Sequence, residues 1–77
     1  MPRFYFDIFS DGHMKDRDEV GQELRDRQAA WEVITRYAAD SLRDLDGDLR
    51  CDTDWRFEVR APDGARILHV TIRSGQN

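Results

Sequence analysis

The segment Trp55-Arg56-Phe57-Glu58-Val59-Arg60, followed by Ala61-Pro62-Asp63-Gly64-Ala65 and then Arg66-Ile67-Leu68-His69-Val70-Thr71-Ile72, reads as two strands joined by a tight turn. Apolar and charged residues alternate from Trp55 to Arg60, the period-two pattern of a strand buried on one face. Pro62 and Gly64 occupy turn-typical places between the runs. In the second run Leu68, Val70 and Ile72 are expected to point inward, with Ile67, His69 and Thr71 outward. The hairpin therefore presents one apolar and one polar face, and something must cover the apolar one.

A second hairpin opens the chain. In Arg3-Phe4-Tyr5-Phe6-Asp7-Ile8-Phe9, Phe4, Phe6 and Ile8 share one strand face and Tyr5, Asp7 and Phe9 the other. Asp11-Gly12 then signals a type I′ turn, which needs positive φ at both central positions. Residues 13–16 return as a short, charged edge strand of a kind that discourages further pairing. Residues 18–24 read as a turn, with Gly21 as its positive-φ residue.

Between the hairpins lies a helix. Asp26 is placed as its N-cap, and Ala30, Ile34, Tyr37, Ala38, Ser41, Leu42 and Leu45 keep helical spacing, with Trp31 and Val33 on the flanks. Glu32, Arg36, Asp40 and Arg43 form the opposite, polar face. Gly47 suits the C′ position, and the polar residues after it read as a loop. The predicted fold is α+β, in the order ββαββ: a four-stranded antiparallel sheet with one amphipathic helix packed on one face. Residues 1–73 form the single domain and 74–77 a frayed tail. The third strand is expected beside the first, giving spatial order 2-1-3-4 in preference to 2-1-4-3. The expected core is Phe4, Phe6, Ile8, Trp55, Phe57, Val59, Leu68, Val70 and Ile72 against the helix stripe.

Composition narrows the function. Seventy-seven residues allow one small core. Sixteen acidic against twelve basic residues leave a net charge of −4, and nearly every arginine has an acid close by in sequence. Such interleaving gives a self-neutralising surface, whereas phosphate binding usually needs a concentrated positive field. No apolar run reaches the ~18 residues of a membrane span, and the N-terminus lacks a signal-peptide layout. The lone Cys51 calls for no oxidising compartment, so the expectation is a cytoplasmic protein.

Met1-Pro2-Arg3-Phe4-Tyr5-Phe6-Asp7, Asp11-Gly12, Asp18-x-x-Gly21-x-Glu23-Leu24, a helix opening near Ala29-Ala30, and Asp63-Gly64 in the final hairpin together carry a resemblance. The chain resembles a family of small uncharacterised bacterial proteins that typically begin Met-Pro-Arg-Tyr-Phe-Phe. Phe4-Tyr5 inverts the usual order and swaps which aromatic faces inward. The family has no assigned activity, so the resemblance implies no catalytic or binding residue.

The chemistry-bearing residues point away from catalysis. His13 and His69 lack metal-ligand spacing, and Cys51 sits among Asp48, Asp52 and Asp54, whose charges oppose a thiolate. Asp44-x-Asp46-x-Asp48 begins like a calcium loop. It then places Leu49 where glycine is needed and Trp55 where a bidentate Glu is needed, leaving at most a weak cation site. No cofactor, small-molecule substrate or metal is implied. The informative surface is the sheet face away from the helix, with Tyr5, Phe9 and Ile67 as an apolar strip edged by Arg56, Arg60, His69 and Arg73. Aromatics with arginines mark protein interfaces, and also single-stranded RNA platforms. The expectation is a non-enzymatic protein-interaction or regulatory module, with single-stranded RNA binding as the alternative. A homodimer meeting face to face would set these arginines against Asp7 and Glu58 of the partner.

Overall fold

The computed structural model describes residues 1–45 and 51–75. Its elements are β1 (Arg3–Ser10), β2 (His13–Asp16), β3 (Gln22–Glu23), α1 (Arg27–Leu45), β4 (Asp54–Arg60) and β5 (Arg66–Arg73). The α+β class holds, but the order is βββαββ and the antiparallel sheet has five strands. The spatial order is β2-β1-β4-β5, so the first strand of the second hairpin lies beside β1 as expected. The extra strand, β3, pairs with β1 through Arg3↔Glu23 and Phe4↔Gln22, on the edge that β2 occupies further along. Two polar residues carry no alternation, which is why this strand cannot be read from the sequence.

Local chemistry explains the turns. Asp11 and Gly12 have φ of 53° and 81°, the two positive values a type I′ hairpin demands. At the second hairpin the Gly64 amide donates to the Ala61 carbonyl at 2.9 Å, and Gly64 itself sits at φ 92°. The Asp26 carboxylate accepts the Ala29 amide at 2.9 Å, capping α1 as the sequence suggested. The Gly47 cap and the centre of the acidic loop, residues 46–50, lie outside the described residues.

The buried core consists of Phe4, Phe6, Phe57 and Val59 from the sheet and Ala30, Ile34 and Ala38 from α1. Two alanines four residues either side of Ile34 let the helix sit low on the sheet. The expected core residues Ile8, Trp55, Leu68, Val70 and Ile72 are half-buried and pack against this cluster. Tyr37 and Leu42 are exposed on the helix flanks. Trp55 stacks on Phe57 at 6.3 Å with Lys15 Nζ 5.1 Å from its ring centre, so it closes the core's rim. Among the described residues no helix is long and apolar enough to cross a membrane.

Candidate functional site

Because Phe4 and Phe6 turn toward the helix, Tyr5, Asp7 and Phe9 must turn away from it. The register then fixes their neighbours: Tyr5↔Arg60, Asp7↔Glu58 and Phe9↔Arg56 across β1 and β4, and Glu58↔His69, Arg56↔Thr71 and Asp54↔Arg73 across β4 and β5. This places two carboxylates, Asp7 and Glu58, side by side in the middle of the uncovered face. Both are buried. Like charges side by side and out of water require cations, and the arginines supply them.

Arg60 serves Asp7. Its Nε donates to Asp7 Oδ2 at 3.0 Å, and a terminal nitrogen donates to the Asp18 carbonyl at 2.9 Å. The guanidinium carbon lies 4.8 Å from the Tyr5 ring centre. The hydrogen bond to Asp7 raises the Arg60 pKa above its ordinary value, so this cation is permanent. Glu58 is served by two arginines: Arg56 Nε donates to Oε1 at 2.7 Å, and Arg66 Nε approaches Oε2 at 2.9 Å. The second contact is close enough for an ion pair but is not aligned for a hydrogen bond, so Glu58 Oε2 is buried without one. Arg66 also covers Phe9, 5.3 Å from its ring centre.

These contacts correct two expectations. Asp7 and Glu58 meet arginines of their own chain, so no partner is needed to neutralise them. Ile67 is not part of the face strip; it is half-buried and packs against the core cluster. The register slips beside Val59 and Arg60, where Val59 pairs with Leu68 but Arg60 pairs with Arg66. Ile67 is the extra residue of this bulge, and the alternation shifts around it. Arg66 thereby joins the sheet face, a residue the strict period-two reading missed. The adjacent apolar pair Ile67-Leu68 was the available signal.

The Asp18-x-x-Gly21 motif is the frame of this face. Asp18 fills the gap between β2 and β3: its Oδ2 accepts the Phe6 amide at 3.2 Å, as a strand carbonyl would. Its Oδ1 accepts the Val20 and Gly21 amides at 3.0 and 2.9 Å, and its own amide donates to Asp7 Oδ1 at 3.1 Å. Burial works against the charged carboxylate, but the Gly21, Phe6 and Val20 amides prevail and hold its pKa below the ordinary value. Gly21 sits at φ 75°, and a Cβ there would lie 2.9 Å from both Arg3 Cγ and Tyr5 Cε1. Glycine is required twice over, by backbone and by space.

Tyr5 and Phe9 are half-buried beneath their guanidiniums, Arg60 is half-buried, and Arg56, His69 and Arg73 are exposed. Phe9, Arg56, Glu58, Arg66, Thr71 and Arg73 line a cleft of about 470 Å³, together with Gly12 and Asp54. Arg73 pairs with Asp54 at 3.1 Å. Glu58 accepts a hydrogen bond from Arg56 Nε and forms an ion pair with Arg66 Nε, and the terminal nitrogens of both arginines make no hydrogen bond among the described residues. A larger groove of about 700 Å³ runs between α1 and residues 16–22, with an acidic rim that includes Asp16, Glu19 and Asp44. Among the described residues no group of three metal-ligating side chains converges there or elsewhere. His13 and Cys51 are both exposed, and neither lines the cleft.

A family model described as Domain of unknown function (DUF6894) matches residues 3–73. No curated protein and no solved structure matches the chain.

Proposed function

The chain belongs to the DUF6894 family, a domain of unknown function, and from that premise we propose that it is a non-enzymatic protein-binding module whose sheet-face cleft takes a carboxylate-bearing segment of a partner. One observation carries this reading. Arg56 and Arg66 each set Nε against a buried glutamate, their side chains are 47% and 55% exposed, and Arg66 lies over the Phe9 ring. Guanidinium ends held in this way are pre-organised for bidentate carboxylate recognition. Phe9 adds apolar contact.

Single-stranded RNA fits this face less well. Both rings that would stack bases already carry a guanidinium, and the arginines' charge is largely cancelled by Asp7, Glu58 and Asp54. The remaining positive field is small for a chain of net charge −4.

The test is an amide-resonance titration with a ten-residue Glu-rich peptide bearing one tyrosine, run in parallel with a uridine decamer. Peptide-induced shifts at Phe9, Arg56, Arg66 and Thr71, weakened at least about tenfold by Arg66→Ala, support the proposal. Absence of shifts at those residues refutes it. So does uridine binding that is tighter than peptide binding and falls steeply with salt.

A further inference from the structure

The two edges of the sheet are not equivalent. Along the outer side of β1, β2 pairs at one end, β3 at the other, and the Asp18 carboxylate takes the Phe6 amide between them. Among the described residues no strand pairs with the outer side of β5, so the eight residues of this strand form an edge of the sheet. Native proteins cover or blunt such edges, because unpaired amides and carbonyls invite another strand.

We propose that the β5 edge is the seat of a second copy of this chain, added antiparallel about a two-fold axis at Val70. Three independent features select this occupant. The first is the register. Leu68-His69-Val70-Thr71-Ile72 alternates symmetrically about Val70, so a two-fold there sets Leu68 beside Ile72 of the other copy and His69 beside Thr71 of the other copy. Apolar residues meet apolar ones on the helix side, and polar residues meet polar ones on the cleft side.

The second is incomplete burial. Leu68, Val70 and Ile72 all pack on the core cluster, yet none is fully buried. The third is the helix. Tyr37 meets Phe6 of β1 edge-on, 5.7 Å between ring centres, which marks the β1 side of α1. At 3.6 residues per turn, Trp31 lies as far round the helix from buried Ile34 as Tyr37 does, in the other direction. Leu42 shares that side. Trp31 and Leu42, 39% and 44% exposed, therefore stand on the flank toward β5. The helix packs on β4 and β5 together. With strands ~4.8 Å apart, a copy added at β5 brings the two helices to roughly 10 Å. That is a helix-packing distance, and Trp31 and Leu42 would fill the space between.

The two sheet-face clefts would then lie on one continuous surface, but the pairing does not depend on what those clefts bind. The experiment is sedimentation equilibrium of the full chain from 5 to 200 μM, with hydrogen exchange at both extremes. Twice the 9.1 kDa chain mass at high concentration, with slowed exchange confined to β5 amides, is the expected result. Trp31→Glu with Leu42→Glu, both at exposed positions, should return a monomer with unchanged far-ultraviolet circular dichroism. So should His69→Lys with Thr71→Lys, which lines the seam with like charges. A monomer throughout the range overturns the proposal. A dimer that survives both double variants, or one broken by Phe9→Ser with β5 amides unprotected, also overturns it by placing the contact elsewhere.

Discussion

The two faces of this sheet solve burial by opposite means. On the helix side, Phe4, Phe6, Phe57 and Val59 pack on Ala30, Ile34 and Ala38, and nothing there needs a specific partner. On the other side, Asp7 and Glu58 are buried just as deeply, and every contact is directional: carboxylate to guanidinium, guanidinium over ring, amide to Asp18. Apolar burial contributes free energy in proportion to area and tolerates imprecision. Buried ions contribute only when every partner is in place, because an unpaired one carries its full desolvation cost. The helix side should therefore hold the fold's stability, while the cleft side holds its geometry.

The largest expected effect tests the first half of that contrast. Phe57 is fully buried, and Phe57→Ala should cost about 4 kcal/mol in urea unfolding, most of what a domain this small possesses. A variant as stable as the parent would mean the helix side is not the core. Next comes the ionic side. Asp7→Ala strands the half-buried Arg60 and should cost about 3 kcal/mol. The paired change Asp7→Leu with Arg60→Met should recover most of that loss, since matched apolar groups often replace a buried pair without penalty. If the pair change is as damaging as Asp7→Ala alone, the ion pair supports stability directly and the contrast between the faces fails.

Asp18 gives a smaller and more diagnostic effect. Asp18→Asn keeps the shape but sets an amide NH₂ against one of the donors now accepted, so about 2 kcal/mol should be lost. The pH dependence has a definite sign. The folded carboxyl titrates below its ordinary 3.8, so its contribution is full above that pH and is lost as pH falls through the lower, folded value. Acid unfolding below about pH 4 should be less steep in Asp18→Asn than in the parent. An unchanged acid slope would show that the carboxylate's charge is not what joins β2, β3 and β1.

The same contrast explains what could be read from the chain. The apolar side follows periodicity, so the hairpins, the cap at Asp26 and the buried Phe57 and Ile34 were all legible. Legibility failed where periodicity breaks. The Ile67 bulge exchanged the roles of Ile67 and Arg66, and two-residue β3 exists because an aspartate side chain bridges the gap before it. Trp55, Tyr37 and Leu42 fit the apolar pattern but lie where a helix with an alanine-lined contact face leaves its rim open. On the cleft side the residues were right in kind. Their pairing within one chain was not legible, because Arg60 and Asp7 are 53 positions apart.

The smallest expected effect separates fold from recognition most cleanly. The Arg73 side chain is 77% exposed, and its partner Asp54 is partly exposed as well, so their 3.1 Å contact is made largely in water. Exposed pairs of this kind gain little, because solvent screens the attraction and two side chains must be held still. Arg73→Ala should therefore change unfolding free energy by no more than about 0.5 kcal/mol. Yet Arg73 lines the cleft with Phe9, and removing it takes one donor from the proposed carboxylate site. Titration of the Glu-rich peptide should show affinity reduced about threefold to tenfold, a loss of ~0.7–1.4 kcal/mol, with the same amides shifting. A variant that loses stability but binds normally would assign Arg73 to the fold. Unchanged stability with weakened binding would confirm that the uncovered face keeps its exposed arginines for recognition while its buried ones hold it in shape.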